Sequence, residues 1–119
     1  PLDAKQSMRI ALLGPWTTQA ATGGGGSSKV NPIRAVTPAE IIARRVAGTN
    51  VQLTIDATAD PATAAQLAGA ADIAVVVVGS FETEGADRQS MSLPDGQDEL
   101  IAAIAAACSA PSIPIWPSR

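Results

Sequence analysis

The stretch ADIAVVVVG, Ala71 to Gly79, carries an unbroken run of small and β-branched apolar residues closed by a glycine. A strand with one wet face alternates apolar and polar residues. This one does not, so Ile73 to Val78 reads as a strand buried on both faces, central in a parallel sheet. Working outward, RIALL at Arg9 to Leu13 is a second short apolar run, ended by Gly14-Pro15, and VQLTI at Val51 to Ile55 is β-branched and alternating. Both read as strands.

Helix signals fall between them. In Thr37-Pro38-Ala39-Glu40 the Thr can cap, Pro at the first helical position needs no N–H partner, and Glu three residues after the cap can reach back, so a helix should run to about Ala47 with Gly48 as its stop. Asp60-Pro61 opens a second helix in the same way, to about Gly69, along Ala64, Ala65, Leu67 and Ala68. Gln97 to Cys108 (QDELIAAIAAAC) is a third, with Leu100, Ile101 and Ile104 inward, Asp95 as its expected cap, and Asp98 and Glu99 complementing its dipole. Strand and helix alternate three times, which is α/β order. The expected architecture is a three-layer α/β/α sandwich with a mainly parallel sheet, joined by right-handed crossovers, with ligands gathering at the carboxyl ends of the strands.

The 119 residues suit one domain, and no repeat at a fixed period divides them. Hydrophobic residues make up 46% and charged residues 16%, enough apolar content for a core and too little charge for a disordered tail. His and Tyr are absent and Cys108 is the single cysteine. A Ser-His-Asp triad, a Cys-His pair and the usual zinc sites are therefore excluded within the chain, and no metal or cofactor is called for. Cys108, in an Ala-rich run, is expected to be buried and inert. A net charge of −3 and 3% aromatic residues leave neither the basic footprint nor the stacking platforms that nucleic acids need, and the latter also argues against stacked sugar-binding surfaces. The longest apolar stretch falls far short of the ~20 residues of a membrane span.

The chain opens on Pro1 with no basic and apolar leader, and ends in SIPIWPSR, where Pro114 and Pro117 oppose a central strand. The expectation is a partial domain over residues 1–119, cut from something longer, with an incomplete sheet that leaves Val75 to Val78 short of cover and the isolated chain marginally stable.

Two long polar segments follow strands. Trp16 to Arg34 contains four consecutive glycines, Gly23 to Gly26. It lacks both the G-x-G-x-x-G spacing of a dinucleotide site and a G-K-[ST] phosphate loop, so a Rossmann cofactor site is disfavoured. It either approaches a ligand with bare backbone or merely connects. The second segment, SFETEGADRQSMSLPD at Ser80 to Asp95, holds Glu82, Glu84, Asp87 and Asp95; with Asp98 and Glu99, six of the eleven acids fall within eighteen residues. Like charges at Glu82 and Glu84 should raise a carboxyl pKa toward the range of a general acid, with Glu84, beside Gly85, the first candidate. Asp87 and Arg88 could pair with each other or contact substrate.

ETEGADRQSMSLPDGQDELI, Glu82 to Ile101, resembles the E-x-E-G-x-D-R…L-x-L-P-x-x-Q-x-x-L-I stretch of family 3 glycoside hydrolases. The likeness extends through RIALLGP, the GGGGSSKVNP segment at Gly23 to Pro32, TPAEII at Thr37 to Ile42 and ADIAVVVVG, covering the chain up to about Ala107. The resemblance implies the second, α/β/α domain of a retaining exo-acting β-glycosidase, β-glucosidase-like, acting on β-linked glucosides or oligosaccharides. It implies a (β/α)8 barrel domain as partner, which would bring the nucleophilic Asp absent from this chain. It places the general acid/base on Glu84, with Glu82 as the fallback, and sets Gly24, Gly25, Gly26, Ser27, Asp87 and Arg88 at the substrate pocket. The alternative is a non-catalytic α/β binding or interaction module whose acidic loop contacts a partner protein.

Overall fold

The computed structural model describes residue 3 and residues 5–108. The expectations for the terminal SIPIWPSR segment and for the first two residues lie outside them. Three parallel strands, β1 (Met8–Leu13), β2 (Val51–Asp56) and β3 (Ile73–Val76), alternate with helices α1 (Pro38–Val46), α2 (Pro61–Ala70) and α3 (Gln97–Ala107). The sheet order is β2-β1-β3, with Ile10 opposite both Leu53 and Ile73, and Leu13 opposite Asp56 and Val76. One crossover runs from β1 outward to β2 and the next returns over β1 to β3. Right-handedness of both puts α1 and α2 on opposite faces.

The helix starts follow from local chemistry. Thr37 accepts a hydrogen bond from the Glu40 N–H at 3.2 Å, and the Glu40 carboxylate accepts one from the Thr37 N–H at 3.0 Å, a complete capping box with Pro38 just inside. Asp60 accepts from the Thr63 N–H at 2.9 Å, which holds its carboxyl below the usual carboxylate range. The third helix starts at Gln97 as expected, but its cap differs from expectation. Asp95 and Gly96 both adopt left-handed backbone (φ 57° and 73°), so the cap position falls on Gly96 and no side chain caps the helix there. The chain turns one residue later than a capping Asp95 requires.

β1, not the more apolar run at 73–78, is the central strand of the described sheet. Ile10 to Leu13 are buried, whereas Ile73 to Val76 are half-buried and pair with β1 on one side only among the described residues. Ala11 and Leu13 face one way and meet Ala64 and Ala68 of α2 and Leu100 and Ile104 of α3, with Ala74, Val76 and Val78 packed at the margin. Small alanines on α2 let the two helices approach, and the large side chains of α3 fill the space. Two further corrections come from the same packing. Ile101 is 38% exposed, because the inward face of α3 follows residues 97, 100 and 104. Cys108 is exposed, since it lies past the last helical turn and off that face.

Both ends of the central strand are fixed. At the amino end the Arg9 guanidinium grips Asp72, with Nη2 to Oδ1 at 2.7 Å and Nε to Oδ2 at 3.3 Å, and the Arg9 N–H donates to the same Oδ2 at 2.7 Å. This fork lowers the Asp72 carboxyl pKa and raises that of Arg9. At the carboxyl end Gly14 leaves the strand at φ 109°, where a Cβ would stand 2.5 Å from the Val77 carbonyl oxygen. The two segments that leave β1 and β3 therefore start side by side.

Because Leu100 is fully buried and Ile101 is not, Leu100→Ala should cost ~2 to 5 kcal/mol of unfolding free energy and Ile101→Ala well under half of that. Equal costs in a denaturant titration would mean that the helix is rotated from the face described.

Candidate active site

The turn that carries Glu84 is built by its neighbours. Thr83 and Ala86 form an antiparallel bridge around Glu84-Gly85, and Gly85 takes the left-handed φ of 81° that such a tight turn requires. Glu84 thus stands at an exposed tip. The glycine run lies against it: Gly25 bridges Thr83 in parallel, and the Gly25 N–H donates to the Glu82 carbonyl at 2.8 Å. A Cβ on Gly24 would stand 2.8 Å from that carbonyl oxygen, one on Gly25 would strike the Thr83 side chain, and one on Gly26 would stand 2.5 Å from the Glu84 Cβ. Close approach of two backbones is the reason for glycine here. Gly26–Ser28 then forms a single 3-10 turn, and the Ser27 N–H donates to Glu84 Oε2 at 2.8 Å.

That bond settles the electrostatics of Glu84 in a sense opposite to the expectation. Proximity to Glu82 was expected to raise its pKa; instead the hydrogen bond from Ser27 favours the charged form and holds the carboxyl below the ordinary glutamate range. Glu82 is occupied elsewhere. Its Oε1 accepts from Ser80 Oγ at 2.5 Å and lies 3.3 Å from Arg88 Nε. Arg88 pairs with Glu82 and not with Asp87, and its Nη2 also donates to the carbonyls of Met91 (3.2 Å) and Ser92 (2.9 Å), tying the far limb of the loop to the near one.

An open cleft of about 790 Å³ lies at this carboxyl end of the sheet, lined among others by Trp16, Phe81, Glu82, Asp87, Arg88 and Gln97. Of the expected pocket residues, Asp87 and Arg88 line it, and so does Glu82, the fallback acid. Glu84 and the strip from Gly24 to Ser27 pack against each other beside it and are not part of its lining. Two of the three aromatics in the chain, Trp16 and Phe81, stand in the cleft wall. A count of aromatics conceals that concentration. Among the described residues no cluster of three or more His, Cys, Asp or Glu could hold a metal ion.

The profile of the family described as "Glycosyl hydrolase family 3 C-terminal domain" matches residues 1–114. The chain belongs to this family. The family 3 domain is 34% identical, over 95% of its length, to "Beta-D-xylosidase 3" of Arabidopsis thaliana and 33% identical, over 87%, to "Thermostable beta-glucosidase B" of Acetivibrio thermocellus. It spans only 15% of the length of each of these relatives. Among solved structures it resembles the beta-D-glucoside glucohydrolase of Trichoderma reesei, with a TM-score of 0.73 and 25% identity, over 90% of this chain and 18% of that one. The beta-glucosidase D2-BGL of Chaetomella raphigera shares the fold, with a TM-score of 0.71 over the same shares at 23% identity.

Sequence reasoning passed over one residue. Gln97, at the first position of α3, is 1% exposed, and its amide bonds both Gly79 and Pro94. Two signals were available: its place on the buried face of α3, one turn before Leu100, and its match to the Q of the L-x-L-P-x-x-Q-x-x-L-I stretch.

The depressed pKa of Glu84 carries a sign that can be checked. The tie between the loops is fully present above the unfolded glutamate pKa and is lost as pH falls through the lower folded value. The amide resonance of Ser27 should therefore titrate with a midpoint below the ordinary glutamate range, and Gly26→Ala, which drives a methyl into Glu84, should abolish that titration. A midpoint above the ordinary range would contradict the bond.

Proposed function

We propose that this domain supplies the general acid/base of a retaining exo-acting β-glycosidase, β-glucosidase-like in its preference for β-linked glucosides or oligosaccharides. The residue assigned to the role is Glu84, and the observation that supports it is its presentation at the tip of the turn Thr83–Ala86, above the carboxyl end of the sheet. Membership of the family and the likeness to β-glucosidases support the reaction class.

A retaining mechanism needs two carboxyl groups ~5 to 5.5 Å apart, one to attack the anomeric carbon and one to protonate the departing oxygen and then deprotonate water. The chain offers the second. The first is an Asp of a (β/α)8 barrel domain docked across the cleft, the proposed partner. Docking also answers the electrostatic problem. Alone, Glu84 is held in its charged form by the Ser27 N–H. A second carboxylate brought within ~5 Å penalises that form and raises the pKa, so Glu84 becomes protonated only where a nucleophile faces it. Gly24, Gly25, Gly26 and Ser27 set its height; Asp87 and Arg88 form the adjoining wall of the sugar pocket.

A second reading rests on a specific observation: Glu82 itself lines the cleft, beside Arg88, whereas Glu84 does not. In that reading Glu82 transfers the proton and Glu84 is a latch between loops. Substitution in the enzyme that joins this domain to its barrel separates them. Glu84→Ala should slow hydrolysis of glycosides with poor leaving groups by roughly 10² to 10⁴-fold, with a much smaller loss on activated aryl glycosides. A selective loss in Glu82→Ala alone would move the role to Glu82. No loss in either would leave the domain as a non-catalytic module.

A further inference from the structure

A primary amide that is wholly buried must find partners for its oxygen and both hydrogens, and the partners that Gln97 finds lie at the two ends of the acidic loop. Its Oε1 accepts from the Gly79 N–H at 2.9 Å, and its Nε2 donates to the Gly79 carbonyl at 2.9 Å and to the Pro94 carbonyl at 2.8 Å. The pair of bonds to Gly79 copies what a neighbouring strand does for a ladder residue. The side chain thus stands in for a peptide unit three residues beyond the end of β3. On its other side Gly79 meets the Trp16 ring, where a Cβ would stand 2.9 Å from the ring carbons. The loop therefore leaves the sheet through a gap set by an amide on one side and an indole on the other, and returns to the same amide at Pro94. Close by, Asp98 accepts from the Leu93 N–H at 3.1 Å.

We propose that Gln97 is a positioning residue for proton transfer: by clamping Gly79 to Pro94 it closes the base of the loop and sets the place of the carboxylate at its tip. The inference rests on the acid/base reading above, and it assigns Gln97 no contact with substrate. Closing the base matters because the tip is otherwise held by exposed bonds, Ser27 to Glu84 and Arg88 to Glu82, which water competes for. Fixing both ends of the segment with one buried group lowers the closure entropy that those exposed bonds would otherwise have to offset.

The test combines exchange and kinetics, in the enzyme that joins this domain to its barrel. In the wild type the Gly79 amide should exchange as slowly as the Val77 amide, which is bonded to Leu13; exchange as fast as a free loop amide would overturn the clamp, and this reading needs no variant to fold. Gln97→Leu removes both donors and the acceptor, and Gln97→Glu removes at least one of the two donors, each with little change of volume. In either variant that keeps native β1 protection, the Gly25 amide, which reports contact between the loops, should exchange faster. The rate on poor leaving groups should fall about 10 to 100-fold at unchanged KM, while activated glycosides are nearly unaffected. A folded variant with unchanged Gly25 exchange and unchanged leaving-group dependence overturns the proposal. If Glu84→Ala leaves the leaving-group dependence unaltered while Gln97 variants still release Gly25, the acid/base reading has failed and the positioning role fails with it, the clamp alone remaining. If Glu84→Ala alters that dependence and the Gln97 variants do not, only the present proposal falls.

Discussion

Three consecutive positions without side chains, Gly24 to Gly26, allow the backbone after β1 to lie directly on the backbone after β3, and the candidate site depends on that contact. It is a short piece of ladder, Gly25 against Thr83, extended by the bond from the Ser27 N–H to the Glu84 carboxylate. Each bond is exposed and individually weak. What gives them effect is that both loops start from adjacent strands whose ends are already fixed, so little chain freedom remains for the contact to remove. A methyl group at Gly25 or Gly26 would displace the loop that carries Glu84.

The sheet beneath supplies that fixity through one buried strand. Residues Ile10 to Leu13 are packed on both faces and paired on both edges, so β1 cannot shift without unpacking the core shared with α2 and α3. The Arg9–Asp72 fork sets the register at one end, and the tight passage of Gly14 past the Val77 carbonyl sets it at the other. Function in an α/β sheet concentrates at the carboxyl ends because that is where loops depart from such a fixed frame. Here the acidic turn, the glycine strip and the Gln97 amide all meet at that end.

What could be read from the sequence divides by range. Helix starts at Thr37 and Asp60 were legible because a capping side chain, the proline after it and the N–H that the cap bonds all fall within four residues, with Glu40 closing a capping box at the first. The start of α3 at Gln97 was legible too, but its cap was placed one residue early, on Asp95, because left-handed backbone at a non-glycine residue leaves little trace in composition. Which strand is central was not legible: IAVVVV is more apolar than RIALL, yet order in a sheet is decided by crossovers, not by the hydrophobicity of one run. For the site, both loops were recognisable as loops and Glu84 as a turn residue. That Arg88 would choose Glu82 over the adjacent Asp87 follows from how the acidic loop folds back on itself, and that Ser27 would lower the Glu84 pKa where Glu82 was expected to raise it is a consequence of two segments nearly sixty residues apart in the chain meeting in space. Gln97 lay at the buried spacing of Leu100 and Ile104, and a polar residue at such a spacing implies partners that the sequence does not name.

The contact between the two loops is open to direct observation by nuclear Overhauser effects in the folded chain. A Cβ built on Gly26 stands 2.5 Å from the Glu84 Cβ, so a strong cross-peak between the Gly26 α protons and the Glu84 β protons is expected at neutral pH. Its absence, in a sample where the cross-strand contacts of β1 with β3 are intact, would contradict the account: the acidic turn would then stand free of the glycine strip.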